Sequence, residues 1–402
     1  MIKNKKIDLI RAEKTPSDSR VVLNPEQARK LIDQGYDIRV QRSNVRAFKD
    51  EEYSALNIPL VEEIHDCDIM IGVKEVPISN LVPQKTYFFF SHTIKEQPYN
   101  RNLLRTAVDR QIRLIDYEVI TDSSGQRLIA FGKFAGMVGA HNGLWTYGKR
   151  TGSFDLPRMY QSRNYAAVKE AYKQTNFPPM KIALTGTGRV ANGAALVLED
   201  MGIKKVGALD FVSNTFEYPV FAQLNSFYYA ARKDGQVFDN VFDFYENPKD
   251  YKSDFHHFTK HADIFINGIY WDNDAPAFFS VEDMQKDDFS IQVIADVTCD
   301  IAPVSSIPST LKASTIPDPV FGFDPVSAKE TEAFNKDAVD MMTIDNLPNE
   351  LPRDASTAFG EMFIEHVLPE LESENSELLN RATICEKGQL GQHFQYLSNY
   401  IS

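Results

Sequence analysis

Short apolar runs alternate with amphipathic stretches along this chain, and the runs carry β-branched and aromatic residues with little polar interruption. Strands buried on both faces of a parallel sheet read this way, so the pattern predicts an α/β fold. In the first third, strands are expected at Ile7–Ile10, Tyr36–Val40, Asp68–Val73, Tyr87–Phe90 and Ile112–Ile115, with helical patterns such as Pro25–Gln34 and Asn100–Arg110 between them. In the second half they are expected at Ile182–Thr185, Lys205–Leu209, Asp263–Ile266, Gln292–Ala295 and Asp340–Ile344. Two doubly wound parallel-sheet domains with a cleft between them follow. The Gly/Ala-rich stretch Phe131–Arg150 and the amphipathic Asp354–Leu371 read as helical connectors that carry the chain out and back. The expected division is therefore a substrate domain of residues 1–135 and 350–402 and a nucleotide domain of residues 136–349. Phe211–His261, rich in aromatics and charge, is too long for a strand-to-strand connection and is read as an insertion or flap.

Composition narrows the function classes. Of 402 residues 43% are hydrophobic and 25% charged, which argues against disorder and low complexity. A net charge of −13 repels phosphate backbones and anionic lipid, so nucleic-acid and membrane-surface roles are not expected, and an anionic ligand would need a local basic pocket. Cys67, Cys299 and Cys385 are far apart and outside any metal-ligand spacing, so neither disulfides nor a metal is expected, and a reducing cytoplasm fits. The N-terminal MIKNKKIDLIRAEK is charged where a signal peptide would be apolar, and no apolar run approaches membrane length.

KIALTGTGRVANGAALVLEDMG joins a strand to a helix through Gly186, Gly188 and Ala191. Gly186 permits the tight turn, Gly188 lets the backbone approach a pyrophosphate, and the small residue at 191 lets the helix pack on the strand, with its N-terminus toward the phosphates. This is the dinucleotide fingerprint of a Rossmann-like domain. Asp210, roughly 24 positions after Gly186 and placed near the end of the next strand, is the candidate for the ribose. Asn267 and Asp296, at the ends of later strands, are counted with the cofactor.

In the first domain, ionisable residues stand just beyond successive strand ends: Arg11, Lys74 with Glu75, His92, and Glu118. Doubly wound sheets bind ligands at that edge. Arg20, Lys95 and Arg127 add positive charge for an anionic substrate. Like charges lower a lysine's pKa, which would let Lys74 exchange a proton near neutrality, while Glu75 and Glu118 oppose that shift.

With KTYFFFSHTIKEQ, IRLIDYEVITDSSGQRLIAFGKFAGMVG, LTGTGRVANGA, DIFINGIYWDNDAP and IDNLPNELPRDAS, the chain resembles the lysine–2-oxoglutarate reductase domain of the bifunctional lysine-degrading enzyme, aminoadipic semialdehyde synthase, over nearly its whole length. It is more distantly similar to lysine-forming saccharopine dehydrogenase and to alanine dehydrogenase. The resemblance implies reductive condensation of lysine with 2-oxoglutarate to saccharopine, or the reverse, in lysine degradation. Lys74 and His92 are then the proton-transfer pair, Glu75 and Glu118 tune them, Arg20 and Arg127 hold carboxylates, and Asp345 contributes near the cofactor. Glu75 departs from the bifunctional enzyme's pattern. The resemblance also implies NADP(H) rather than NAD(H), with Arg232, Lys233 and Arg189 as candidates for the 2′-phosphate, although Asp210 alone would favour NAD(H). Because the sequence stops at Ser402, a hand-off of saccharopine to a separate oxidising enzyme is expected. The alternatives are an alanine dehydrogenase-like enzyme using ammonia and pyruvate, and a non-catalytic dinucleotide-binding sensor.

Overall fold

The computed structural model describes residues 5–13, 16–373 and 375–402. Among these, the strands in chain order are β1 Lys6–Leu9, β2 Asp37–Gln41, β3 Leu60–Val61, β4 Ile69–Lys74, β5 Thr86–Phe90, β6 Arg113–Ile115, β7 Lys181–Thr185, β8 Lys204–Lys205 and β9 Val220–Leu224. They continue with β10 Ala230–Arg232, β11 Tyr251–Ser253, β12 Ile264–Asn267, β13 Val293–Asp296, β14 Val320–Asp324, β15 Lys329–Thr331, β16 Val339–Met342, β17 Thr383–Glu386 and β18 Gln389–Leu390. The chain divides into a unit of Met1–Phe131 with Pro352–Ser402 and a unit of Gly132–Leu351.

The first unit is built on one sheet ordered β18-β17-β6-β5-β4-β1-β2-β3. Strands β1 to β6 pair in parallel, and β17 and β18 close one edge antiparallel. Successive side chains on a strand point to opposite faces, and both faces here are covered. Ile69, Ile71 and Phe88 join one apolar cluster, while Met70, Tyr87 and Phe89 join the other. The helix Pro25–Asp33 starts on an Asn24 capping box with proline in its first turn and buries Ala28 and Leu31 against the first cluster. The helix Arg101–Asp109 lays Leu103, Leu104 and Ala107 on the second.

The second unit carries a sheet ordered β15-β14-β16-β13-β12-β7-β9-β8, parallel from β16 to β8. The helix Gly132–Thr151 lies against the helix Arg189–Asp200 at a distance only glycine permits. A Cβ on Gly136 would stand 1.8 Å from the Val190 carbonyl oxygen, and one on Gly193 would stand 2.1 Å from that of Lys133.

One expected strand is corrected here. Lys205–Leu209 does not form a strand: only Lys204–Lys205 pairs, as an exposed edge, and Ala208–Ser213 is a short helix started by Gly207. That helix buries Ala208 and Phe211 and leaves Leu209 76% exposed, so the apolar run follows helical rather than strand periodicity. The strand beside β7 is β9, which the sequence reading had assigned to the insertion.

Candidate active site and nucleotide site

In the first unit, the ends of β4, β5 and β6 lie side by side, because the strands pair in parallel and in order. Lys74 is the last residue of β4 and pairs with Phe90 at the end of β5. His92 follows β5 with φ 54, a left-handed conformation uncommon for a non-glycine residue, and its ring stacks on Phe90 at 6.3 Å between centroids. Glu118 sits in the turn after β6, its side chain only 4% exposed.

Two cations and the His92 ring converge on that carboxylate. His92 Nδ1 lies 3.4 Å from Glu118 Oε2, while Lys95 Nζ at 3.3 Å and Arg127 Nη2 at 2.8 Å reach Oε1. Burial alone would raise the Glu118 pKa, but the adjacent His92 ring and the charges of Lys95 and Arg127 outweigh it and hold the group down at about 2. Glu118 is therefore a fixed negative charge. It engages His92 through Nδ1 and leaves Nε2 on the other side of the ring.

Two residues that the sequence reading did not single out set this geometry. Asp116, fully buried, accepts from the Ser91 backbone N–H (2.9 Å) and Oγ (2.5 Å) on one oxygen and from the Glu118 N–H (2.8 Å) on the other. It ties the turn carrying Glu118 to the turn carrying His92. Its position directly after the Ile115 strand end was the available signal. Asp18 is the other: it pairs with Arg20 through Nε at 3.0 Å and Nη2 at 2.5 Å, both side chains nearly inaccessible. Burial pushes the Asp18 pKa up, and Arg20, with a smaller contribution from Lys74, brings it below the usual value.

The structure thus brings Lys74, His92, Lys95, Glu118 and Arg127 to one sheet edge, with Glu75 following Lys74. Arg20 lies over the Phe131 ring at 4.3 Å, and Phe131 packs on Phe90 (5.9 Å), the ring that also supports His92. Its guanidinium is held by Asp18 in a buried pair. Arg11 pairs with Glu13, its Nε 2.7 Å from the carboxylate, and lines a surface groove with Arg42, Lys49 and Glu62.

In the second unit, Gly186 at the end of β7 has φ 104, and a Cβ there would stand 2.7 Å from the Gly268 carbonyl oxygen. Only glycine suits that turn. Gly188 caps the helix Arg189–Asp200, and the space a Cβ of Gly188 would occupy is open. Ala191 is fully buried beneath, and Arg189 is exposed at the first helical position. An open approach to a helix N-terminus fits a pyrophosphate. A cavity of about 430 Å³ adjoins the loop, lined among others by Asn225, Ser226, Tyr229, Tyr245 and Trp271.

The other cofactor candidates fall differently. Asp210 does not end a strand: it is exposed on the helix Ala208–Ser213, so its expected place at the end of the strand beside β7 is corrected. Asn267 and Asp296 end β12 and β13, but their side chains are spent on the interior. Asn267 donates to Asp296 Oδ1 (2.9 Å) and to Ser306 Oγ (2.9 Å), and Asp296 accepts from Thr310 Oγ1 (2.6 Å). They brace the sheet edge. Asp345 is exposed after β16, where its charge, after burial and Asp296, helps push the Cys299 thiol up. Arg232 is held by Asp234 and Asp243, and Lys233 Nζ donates to the Lys249 carbonyl (2.6 Å), so these cations are not free for a phosphate. Outside both sites, Asp254, His256 and His257 bring ligand atoms within 4.8 Å of one another at the surface, a cluster the sequence reading passed over.

Comparison with known proteins agrees with this anatomy. Residues 9–138 match the family model "Alanine dehydrogenase/PNT, N-terminal domain". Saccharopine dehydrogenase [NAD(+), L-lysine-forming] from Emericella nidulans is 28% identical over 93% of this chain and 94% of its own length. Alpha-aminoadipic semialdehyde synthase, mitochondrial, from Mus musculus is 30% identical over 94% of this chain. Over nearly its whole length the chain is thus similar to proteins named saccharopine dehydrogenase and alpha-aminoadipic semialdehyde synthase. It spans about half the length of the Mus musculus relative, 46%. Among solved structures an L-alanine dehydrogenase superposes with a TM-score of 0.67 at 15% identity, covering 99% of this chain and 100% of that one, a likeness of fold. As in that fold, two units dominated by parallel sheet make up the chain. No helix among the described residues is long and apolar enough to cross a membrane.

Proposed function

We propose that this protein is an oxidoreductase acting on a CH–NH bond, condensing L-lysine reductively with 2-oxoglutarate to saccharopine or running the reverse reaction in lysine degradation. The observation that carries the reading is the convergence of His92, Lys95 and Arg127 on the buried Glu118 beside the strand end that bears Lys74. The full-length similarity to a protein named saccharopine dehydrogenase supports it.

The lysine ε-amine must be neutral to attack the ketone carbon, and the carbinolamine oxygen must be protonated before it leaves as water. Those demands call for a base and an acid working near neutrality. Lys74 and His92 are assigned these roles. His92 presents Nε2 because Glu118 engages Nδ1, and Lys74 takes the ammonium proton and returns a proton to the departing oxygen. Lys95 and Arg127, about half exposed, pair with Glu118 and add positive charge for the substrate's carboxylates. Arg20 contributes positive charge from behind Phe131 rather than a free fork. Gly186, Gly188 and the N-terminus of the helix Arg189–Asp200 would hold the pyrophosphate of a nicotinamide dinucleotide, NAD(H) or NADP(H). When bound, that cofactor supplies the hydride that reduces the imine.

The test is oxidation of reduced nicotinamide by the purified protein. Turnover should require both lysine and 2-oxoglutarate, and equal or faster turnover with ammonia and pyruvate would overturn the reading in favour of alanine dehydrogenase chemistry. The three cysteines, all free thiols, favour a reducing compartment, read here as the cytoplasm.

A further inference from the structure

In a doubly wound nucleotide domain the pyrophosphate sits over the first strand's glycine turn, and the residue ending the neighbouring strand meets the adenosine ribose. Here the first strand is β7 and the neighbour is β9: the Gly186 N–H donates to the Leu224 carbonyl at 2.8 Å, and Gln223 Nε2 donates to the Gly186 carbonyl at 3.1 Å. The chain leaves β9 as Asn225-Ser226, and both residues line the cavity that adjoins Gly186 and Gly188. Neither is charged. Asp272, an acidic residue on the same cavity, follows β12, on the other side of β7.

Ser226 is 1% exposed, and its hydroxyl has no hydrogen-bond partner among the described residues. A buried hydroxyl left unmade costs stability, so it marks a place where a ligand group completes the bond. The wall beyond it comes from the segment that the sequence reading called an insertion: Tyr229, Phe244, Tyr245 and Pro248 line the same cavity. A wall of aromatic and proline rings suits a purine.

We propose that the segment from Asn225 to Ser253 reads the adenosine half of the dinucleotide, with the neutral Asn225–Ser226 pair at the ribose and the aromatic wall at the base. This rests on the dinucleotide reading above and deepens it. A carboxylate at the end of β9 would repel a 2′-phosphate, and Asn225 does not. The paired Arg232 and Lys233 do not attract one either. The site therefore tolerates NADH and NADPH alike.

Direct binding of NADH and NADPH, followed by nicotinamide fluorescence without substrates, tests this in the full chain. Wild type should bind both with dissociation constants within about tenfold of each other. Asn225→Asp should weaken NADPH relative to NADH by about tenfold or more through like-charge repulsion. The fold should hold, since Asn225 Oδ1 caps the following turn by accepting from the Phe227 N–H (3.1 Å), and aspartate caps as well. Ser226→Ala should weaken both cofactors severalfold while the melting temperature of the free protein is no lower than that of wild type. Asp210→Ala should leave both constants as they are. If Asn225→Asp weakens both cofactors equally, or Asp210→Ala changes their ratio, the proposal fails while the dinucleotide reading stands. Wild type that binds neither cofactor overturns both. Loss of lysine-dependent turnover with this binding pattern intact overturns only the substrate assignment.

Discussion

Oε2 of Glu118 lies 3.4 Å from Nδ1 of His92, and the same carboxylate holds Lys95 and Arg127. Glu118→Gln keeps the shape and removes the charge that orients the ring. Turnover should fall about tenfold or more while the dissociation constant for NADH stays put, as for a positioning residue. The variant also changes acid stability in a defined sense. The folded pKa, about 2, lies below the ordinary 4.5, so the charge stabilises the fold fully above about pH 4.5 and loses that contribution as pH falls toward about 2. Denaturant unfolding of wild type and variant should show a stability difference that is constant above pH 4.5 and shrinks below it.

Lys74→Met and His92→Ala should each lower kcat by about 10²-fold or more, the usual contribution of a proton-transfer group. Fluorescence titration should show cofactor binding nearly unchanged. Near-normal rates in both variants would place the chemistry elsewhere.

Arg20 and Asp18 form a buried bidentate pair, so removing one partner strands the other. Arg20→Ala should cost about 3–5 kcal/mol of stability in addition to any loss of substrate affinity, whereas a free substrate-binding arginine would cost affinity alone. Chemical denaturation beside the Michaelis constants separates the two.

Gly136 admits the Val190 carbonyl where a side chain would collide. Gly136→Ala must push the phosphate-binding helix away from Gly132–Thr151, costing about 1–3 kcal/mol. Because the N-terminus of that helix faces the Gly188 turn, dinucleotide affinity should drop with the melting temperature.

His141 is fully buried, with Nε2 donating to the Pro157 carbonyl (2.8 Å) and Nδ1 2.8 Å from the Tyr172 hydroxyl. Burial lowers its pKa from 6.5 to about 4. The unfolded chain then binds the proton more readily between those values, so stability should fall as pH drops from about 6.5 toward about 4, by up to about 3 kcal/mol. His141→Gln should flatten the decline. A wild-type midpoint that stays constant across that range would sink the assignment.

Much of this protein was legible in its sequence, because the deciding interactions are local or periodic. The apolar runs around Ile7, Ile69, Tyr87 and Ile182 became parallel strands within a residue or so of their expected ends, since burial on both faces leaves no room for polar interruption. The glycine turn at Gly186 and Gly188 could be read because a positive φ and an open approach to a helix N-terminus demand those residues at that spacing. Lys74, His92 and Glu118 could be read because strand ends on one edge of a parallel sheet fall together whatever their distance in sequence. What the sequence could not order is which strand lies beside which. The two-residue β8 interposes itself in the chain but takes the sheet edge, so β9 receives the place beside β7, and Asn225 rather than Asp210 follows the strand next to the glycine turn. Pairing of that kind is decided by which strand can bury both faces, and exposed Lys204–Lys205 cannot, whereas Val220–Leu224 does. The partners of individual charges were equally hidden. Arg20 with Asp18, and Asp116 with Ser91 and Glu118, are contacts fixed by side-chain packing at the folded sheet edge, where desolvation makes each buried charge depend on a neighbour that only the tertiary structure supplies.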